Sequence, residues 1–307
     1  ADWLSAGVGP VGLPAFSMAA MFIAVPAGVK MSNWTGTMWK GSLRYTSAIM
    51  FSIGLVAMFT IGGLSGVTHS VSPHDRQQTD TYYIVAHFHY VLFGGALFGI
   101  MAGIYYWWPK MFGYMLSEKI GKVHFWLWLI GFNVTFGPFH MLGLQGMPRR
   151  IYTYDKGLGL DFWNLVATIG AFTIAASVLV FIYNVAHSTR YKVIASADPW
   201  DGRTLEWTIP SPTPAYNFAE QPEVHELDDF WHRKYGEDAE GRMVKLAPPV
   251  TEGSLNLHVD DVHLASPSYC PMWANFGPAA LAPGLLRRPH VVVPPAPPRC
   301  PIVRTPS

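Results

Sequence analysis

Long apolar runs separated by short polar loops dominate the chain up to Ser188. A membrane-spanning helix needs about 20 mostly apolar residues. Five stretches meet that length, at roughly 12–36, 44–68, 81–108, 122–144 and 161–187. The pattern predicts an all-α membrane protein whose five transmembrane helices form part of a larger helical bundle. Beyond Ser188 it stops. Residues 189–266 mix acidic and basic side chains around Trp207-Thr-Ile-Pro-Ser-Pro-Thr-Pro. They read as a solvated cytoplasmic segment with limited structure. Residues 267–307 hold 11 prolines, so a continuous helix is not expected there. The chain thus divides into spanning helices at 1–188, a polar segment at 189–266 and an irregular Pro-rich tail at 267–307.

Composition supports this reading. Half of the 307 residues are apolar and 13% are charged, whereas a soluble domain carries about 25% charge. The net charge is +1 and no basic stripe is present, which gives no support to a nucleic-acid partner. Cys270 and Cys300 form neither CxxC nor CxxCH. Covalent haem attachment and a thiolate zinc site are therefore unsupported. The chain begins at Ala1, with no charged segment before a short apolar core. No signal peptide is expected, and the start reads as a truncation.

Lys and Arg near helix ends set orientation. Lys40 and Arg44, then Lys110, Lys119 and Lys122, then Arg190 and Lys192 fall on one side. That side is expected to be cytoplasmic, with the N-terminus outside. Arg149 and Arg150 break the rule, because they follow the fourth helix on the outer side. A guanidinium pair there calls for an anionic partner.

The third span carries Ala86-His87-Phe88-His89-Tyr90. Polar groups inside a membrane span are costly and mark functional sites by default. Residues two apart on an α-helix are rotated by about 200°, so His87 and His89 project from nearly opposite faces. They cannot share one metal as an i,i+4 pair can. They could bind two metal centres on either side of one helix, or be two interfacial histidines hydrogen-bonded to neighbours.

The surrounding motifs narrow the choice. Ile61-Gly-Gly-Leu-Ser-Gly-Val, Asp80-Thr-Tyr-Tyr-Ile-Val-Ala-His-Phe-His-Tyr-Val-Leu, Asn133-Val-Thr-Phe-Gly-Pro-Phe-His and Gly143-Leu-Gln-Gly-Met-Pro-Arg-Arg occur in that order. Ile23-Ala-Val-Pro-Ala-Gly-Val-Lys precedes them. Over about residues 12–190 the chain resembles the C-terminal half of cytochrome c oxidase subunit I, of the haem-copper oxidase superfamily, in its bacterial form.

The resemblance implies two haems, of the haem A type, with copper in the complete subunit. His87 would be the axial ligand of the high-spin haem and His89 an axial ligand of the low-spin haem. Arg149 and Arg150 would hold haem propionates, and Asp80 would bind magnesium. Thr79 stands where the family has His, which weakens that magnesium site. Lys30 would take up protons, although Ala27 replaces the family's Thr; on its own it reads equally as a snorkelling anchor. His140 would be structural or near a haem edge. His69, His124 and His187 read as interfacial residues at helix ends. The family's copper histidines come from upstream segments with no counterpart in this sequence. The chain alone is therefore expected not to reduce oxygen.

The implied partners are membrane lipid, other oxidase subunits including a copper-bearing subunit II, cytochrome c and oxygen. The implied location is the bacterial plasma membrane. The rivals are a quinol oxidase or nitric-oxide reductase of the same superfamily, and a haem-free membrane transporter. After His263-Leu-Ala-Ser-Pro-Ser-Tyr269, where the family continues into a further helix, the chain turns Pro-rich. A reading-frame change after about residue 269 and an ordinary disordered tail are equally compatible with that.

Overall fold

The computed structural model describes residues 7, 9–218, 222–238 and 243–246. The Pro-rich tail, with Cys270, Cys300 and the point near residue 269 where a frame change or an ordinary disordered tail would begin, lies outside the described residues. The chain divides into two units, 1–214 with 223–247, and 215–222 with 248–307. Every helix and strand among the described residues belongs to the first unit.

Five helical stretches are long and apolar enough to cross a membrane: Gly9–Met38, Ser47–Ser70, Tyr82–Phe112, Glu118–Leu144 and Asp161–Arg190. Each matches one of the five runs read from the sequence. The first is two helices, α1 (Gly9–Phe22) and α2 (Ala24–Met38), joined at Ile23. The second is α3 (Ser47–Ser70), followed by the short α4 (Ser72–Gln78). The third comprises α5 (Tyr82–Val91), a π-helical segment (Leu92–Leu97) and α6 (Phe98–Phe112). The fourth and fifth are α7 (Glu118–Leu144) and α8 (Asp161–Arg190). Thr46 caps α3 by accepting from the Ile49 amide, and Thr81 caps α5 by accepting from the Tyr83 amide. Gly113 ends α6 in the left-handed conformation, its amide donating to the Pro109 carbonyl, as helix C-termini often do.

The spans pack through small residues. The buried face of α3 is Ser47, Phe51, Gly54, Met58, Gly62, Ser65 and His69, a run of three- and four-residue steps that keeps one stripe in register. On α8 the buried residues are Ala167, Gly170, Ser177, Asn184 and Ser188. Leu165, Ile169, Phe172 and Leu179 point outward. Large apolar residues outside and small or polar ones inside is the arrangement expected when the solvent is lipid. Gly170 and Gly131 let α7 and α8 approach closely: a Cβ on Gly170 would lie 2.4 Å from the Thr135 nitrogen, and one on Gly131 would lie 2.9 Å from the Ile174 nitrogen. An aromatic core around Phe51, Phe98, Phe125, Trp128 and Phe132 joins α3, α6 and α7.

A buried polar knot ties one end together. Ser47 donates through its amide and hydroxyl to Glu118 Oε2, at 2.7 and 2.9 Å. Tyr105 meets His124 Nδ1 at 3.0 Å, and Asn184 Nδ2 donates to the Ser117 carbonyl at 3.2 Å. His124 is wholly buried here, which corrects the expectation of an interfacial residue. The helix begins at Glu118 rather than near residue 122, so His124 already lies inside the packed part.

The segment after Arg190 has more structure than its composition suggests. Strands β1 (Tyr114–Met115) and β2 (Val193–Ile194) pair antiparallel. Trp207 sits in a 3-10 turn (Leu205–Trp207) and is fully buried. Its indole N–H donates to the Tyr106 hydroxyl at 3.1 Å, and that of Trp200 to the Tyr106 carbonyl at 2.8 Å. Lys110 donates to the Ile209 carbonyl. Residues 198–213 therefore strap across the end of α6. Farther along the chain are α9 (Asp229–Lys234) and a second two-stranded sheet, β3 (Tyr235–Glu237) with β4 (Met243–Lys245). Lys234 anchors them by donating to Asp198 at 2.8 Å and Asp201 at 3.0 Å.

Candidate functional site

The two histidines of α5 face different helices. His87 turns to α3, where its Nδ1 is 2.8 Å from the Gly62 carbonyl and 3.1 Å from Ser65 Oγ. His89 turns to α7, its ring stacked on Phe136 with centroids 4.1 Å apart. Its Nδ1 is 2.8 Å from the Val85 carbonyl, one turn back on its own helix. A carbonyl oxygen only accepts, so each Nδ1 carries the proton and each Nε2 keeps its lone pair. Neither Nε2 has a hydrogen-bond partner among the described residues. Metal-ligating histidines almost always hold their other nitrogen in this way.

The α3 face is cut to fit the His87 ring. A Cβ on Gly66 would lie 2.8 Å from His87 Cε1, and one on Gly62 would lie 2.9 Å from the Tyr90 backbone. Only the absence of side chains at these two positions lets α5 and its imidazole come so close. On the other side, a Cβ on Gly143 would lie 2.0 Å from the Tyr83 nitrogen, so α7 also presses against the start of α5. The residues present fit a haem iron ligand on each side of α5.

The N-terminal end of the same helix is pinned to the loop after α7. The Tyr82 amide donates to the Met147 carbonyl at 2.9 Å, and the Arg149 amide to the Asp80 carbonyl at 2.7 Å. Arg149 Nε then donates to Asp80 Oδ1 at 2.6 Å. Its terminal guanidinium nitrogens have no partner among the described residues, and Arg150 is exposed and equally unpartnered. Asp80 and Arg150 both adopt left-handed backbone, φ 62° and 67°, a conformation non-glycine residues seldom take.

Asp80 fits a magnesium site poorly. Its carboxylate is engaged by Arg149, and among the described residues no group of three His, Cys, Asp or Glu is placed to hold a metal ion. Lys30 lies on α2, exposed and without a hydrogen bond or ion pair among the described residues. His140 Nδ1 is 3.2 Å from the Gly137 carbonyl, and its ring stands edge-on to Tyr83 at 5.1 Å.

His69 departs from expectation. It is not an interfacial residue but is 5% exposed, in the last turn of α3 and edge-on to His87 with centroids 5.0 Å apart. The signal that could have found it is the stripe Phe51, Gly54, Met58, Gly62, Ser65, whose next step is residue 69. Ser65 and the Gly62 carbonyl, which orient His87, lie on that stripe too.

The sequence matches the family described as cytochrome c and quinol oxidase polypeptide I over residues 3–173. It is similar to cytochrome c oxidase subunit 1 of Bacillus subtilis (strain 168), 44% identical over 283 residues, covering 92% of this chain and 44% of that protein. Against cytochrome c oxidase subunit 1 of Thermostichus vulcanus it is 51% identical over 209 residues, covering 68% and 38%. Against quinol oxidase subunit 1 of the same Bacillus strain it is 46% identical over 222 residues, covering 71% and 34%. The chain thus spans less than half the length of these curated relatives.

Proposed function

This chain belongs to the cytochrome c and quinol oxidase polypeptide I family, and from that premise we propose that it is part of the catalytic subunit of a terminal respiratory oxidase. One observation carries the reading. Two imidazoles, one residue apart, face different helices, each with its proton committed to a backbone carbonyl and its Nε2 free. His87 would hold the high-spin haem and His89 the low-spin haem. Held on these residues, the haems would supply electron transfer from cytochrome c and, together with copper bound elsewhere in the subunit, the chemistry of oxygen reduction to water.

The chain's own residues orient and charge-balance that chemistry. Gly62 and Ser65 fix the His87 ring, and Phe136 fixes that of His89. With only Phe88 between them, the two histidines would hold their haems close together. The terminal guanidinium nitrogens of Arg149, with those of Arg150, would pair with haem propionates, a geometry suited to planar carboxylates. Lys30, a cation within an apolar span, would take up protons from the cytoplasmic side. The five spans make this a multi-pass membrane protein, and a bacterial plasma membrane, other oxidase subunits including a copper-bearing subunit II, and lipid complete the setting. Quinol as donor is the second reading, favoured by the similarity to a quinol oxidase subunit 1.

Difference spectra of the assembled oxidase test the ligand assignment. His89→Ala should remove the low-spin bands and His87→Ala the carbon monoxide-binding high-spin signal, each sparing the other. A colourless parent preparation would sink the reading in favour of a haem-free transporter. Lys30→Met should leave both haem spectra intact and cut oxygen consumption at least about tenfold, as expected for loss of a positioned proton-transfer group. Parental turnover would assign Lys30 to anchoring instead. Turnover with reduced cytochrome c against turnover with a quinol separates the two donors.

A further inference from the structure

We propose that His69 donates a hydrogen bond to the periphery of the haem held on His87, its acceptor a propionate carboxylate; this rests on the assignment of His87 as the high-spin haem ligand. His69 is 5% exposed, and neither ring nitrogen has a hydrogen-bond partner among the described residues. A buried polar group without a partner is costly and calls for an explanation. The rings packed against it do not supply that partner. His87, edge-on at 5.0 Å, already spends its Nδ1 on Gly62 and Ser65. Tyr83, edge-on at 5.4 Å, offers its ring.

Position supplies the rest. His69 lies in the last turn of α3, at the same outer end of the bundle as Asp80 and Arg149, where carboxylates are expected. A group bound through His87 Nε2 with its acids turned to that end brings an acceptor to an imidazole that lacks one. A neutral imidazole has one N–H to give. Donation to a propionate offsets its negative charge, which favours the reduced iron.

The test uses the assembled oxidase containing this chain, with redox titration of each haem and resonance Raman of the propionate modes. His69→Phe keeps a ring against His87 but has no donor; His69→Leu serves if that variant does not assemble. Either should lower the reduced-to-oxidised ratio of the high-spin haem at fixed potential by about three- to tenfold. Tenfold corresponds to about 59 mV for one electron. The propionate modes should move and the low-spin haem should titrate unchanged. His69→Gln, which retains an N–H, should recover most of the parental potential. Parental potentials in all variants would overturn the proposal and leave His69 to a bound water. Equal shifts in Phe, Leu and Gln would overturn it in favour of packing alone. His87→Ala is the separate arm. Loss of the high-spin haem there keeps the underlying assignment standing whatever His69 does, while retention of both haems removes that assignment and this proposal with it.

Discussion

At the scale of single residues, the site depends on what is missing as much as on what is present. Gly66 leaves room for the His87 ring, and a larger residue there must push it. A Gly66→Val substitution places its first carbon 2.8 Å from His87 Cε1, and overpacking of this kind costs about 1–3 kcal/mol. The expected outcome is partial loss of the high-spin haem with the low-spin bands retained, read by pyridine haemochrome and carbon monoxide difference spectra. Gly63, elsewhere on the same helix, has nothing within 4 Å of a built Cβ, so Gly63→Ala should leave both centres as they are. The HxH spacing made opposite-facing imidazoles legible in the sequence, because 3.6 residues per turn is a property of any helix. The burial of His69 and His124 was not. Both sit near the ends of apolar runs, where composition says interface, and only the packing of neighbouring spans decides otherwise.

At the scale of helices, the spans were legible to within a few residues, since an apolar run long enough to cross a bilayer has few other uses. The pairing between them was not, because lipid solvates apolar side chains as well as a neighbouring helix does. What pairs α7 with α8 is close backbone approach at Gly131 and Gly170, fastened by Ser177 donating to the His124 carbonyl at 2.9 Å and by Asn184 bridging to Ser117. A Gly170→Leu substitution should force these helices apart and lower the unfolding midpoint in detergent by several degrees. Exposed Ile169→Leu on the adjacent face should leave it within experimental error. A Gly170→Leu protein that melts with the parent would show that α8 is held by other contacts.

At the scale of the molecule, the strap of residues 198–213 and the α9–β4 region that Lys234 anchors to it close one end of the helical bundle. Residues 189–266 looked solvated because their composition is polar. Among the described residues of that stretch, order comes instead from a few long-range contacts, Trp207 on Tyr106 and Lys234 on Asp198 and Asp201, that no local pattern announces. These contacts carry a pH signature. Burial opposes ionisation of Asp201, but the Tyr235 hydroxyl and the Lys234 ammonium outweigh it and hold the carboxyl below the ordinary carboxylate range. A group whose folded pKa is depressed stabilises the fold above its unfolded pKa and loses that contribution as pH falls through the folded value. Limited proteolysis between residues 223 and 247 should therefore be flat near neutrality and rise only in strong acid. Asp201→Asn should raise cleavage at neutral pH and flatten the acid dependence. An unchanged profile in that variant would show that Asp201 does not secure the anchor.

The π-helical segment at Leu92–Leu97 divides the third span in a way its hydropathy does not reveal. A π turn accommodates one residue more than an α turn, and one residue on an α-helix is about 100° of rotation. The half before it is phased by His87 and His89, and the half after it by Tyr105 and Lys110, which meet His124 and the strap. A continuous α-helix of the same sequence could satisfy one set of directions but would swing the other by about a quarter turn. The wide turn works as a phase shifter, allowing the directions of the two imidazoles and the packing against the strap to be set independently on a single rod. Deleting one residue from it would be a rotation rather than a shortening.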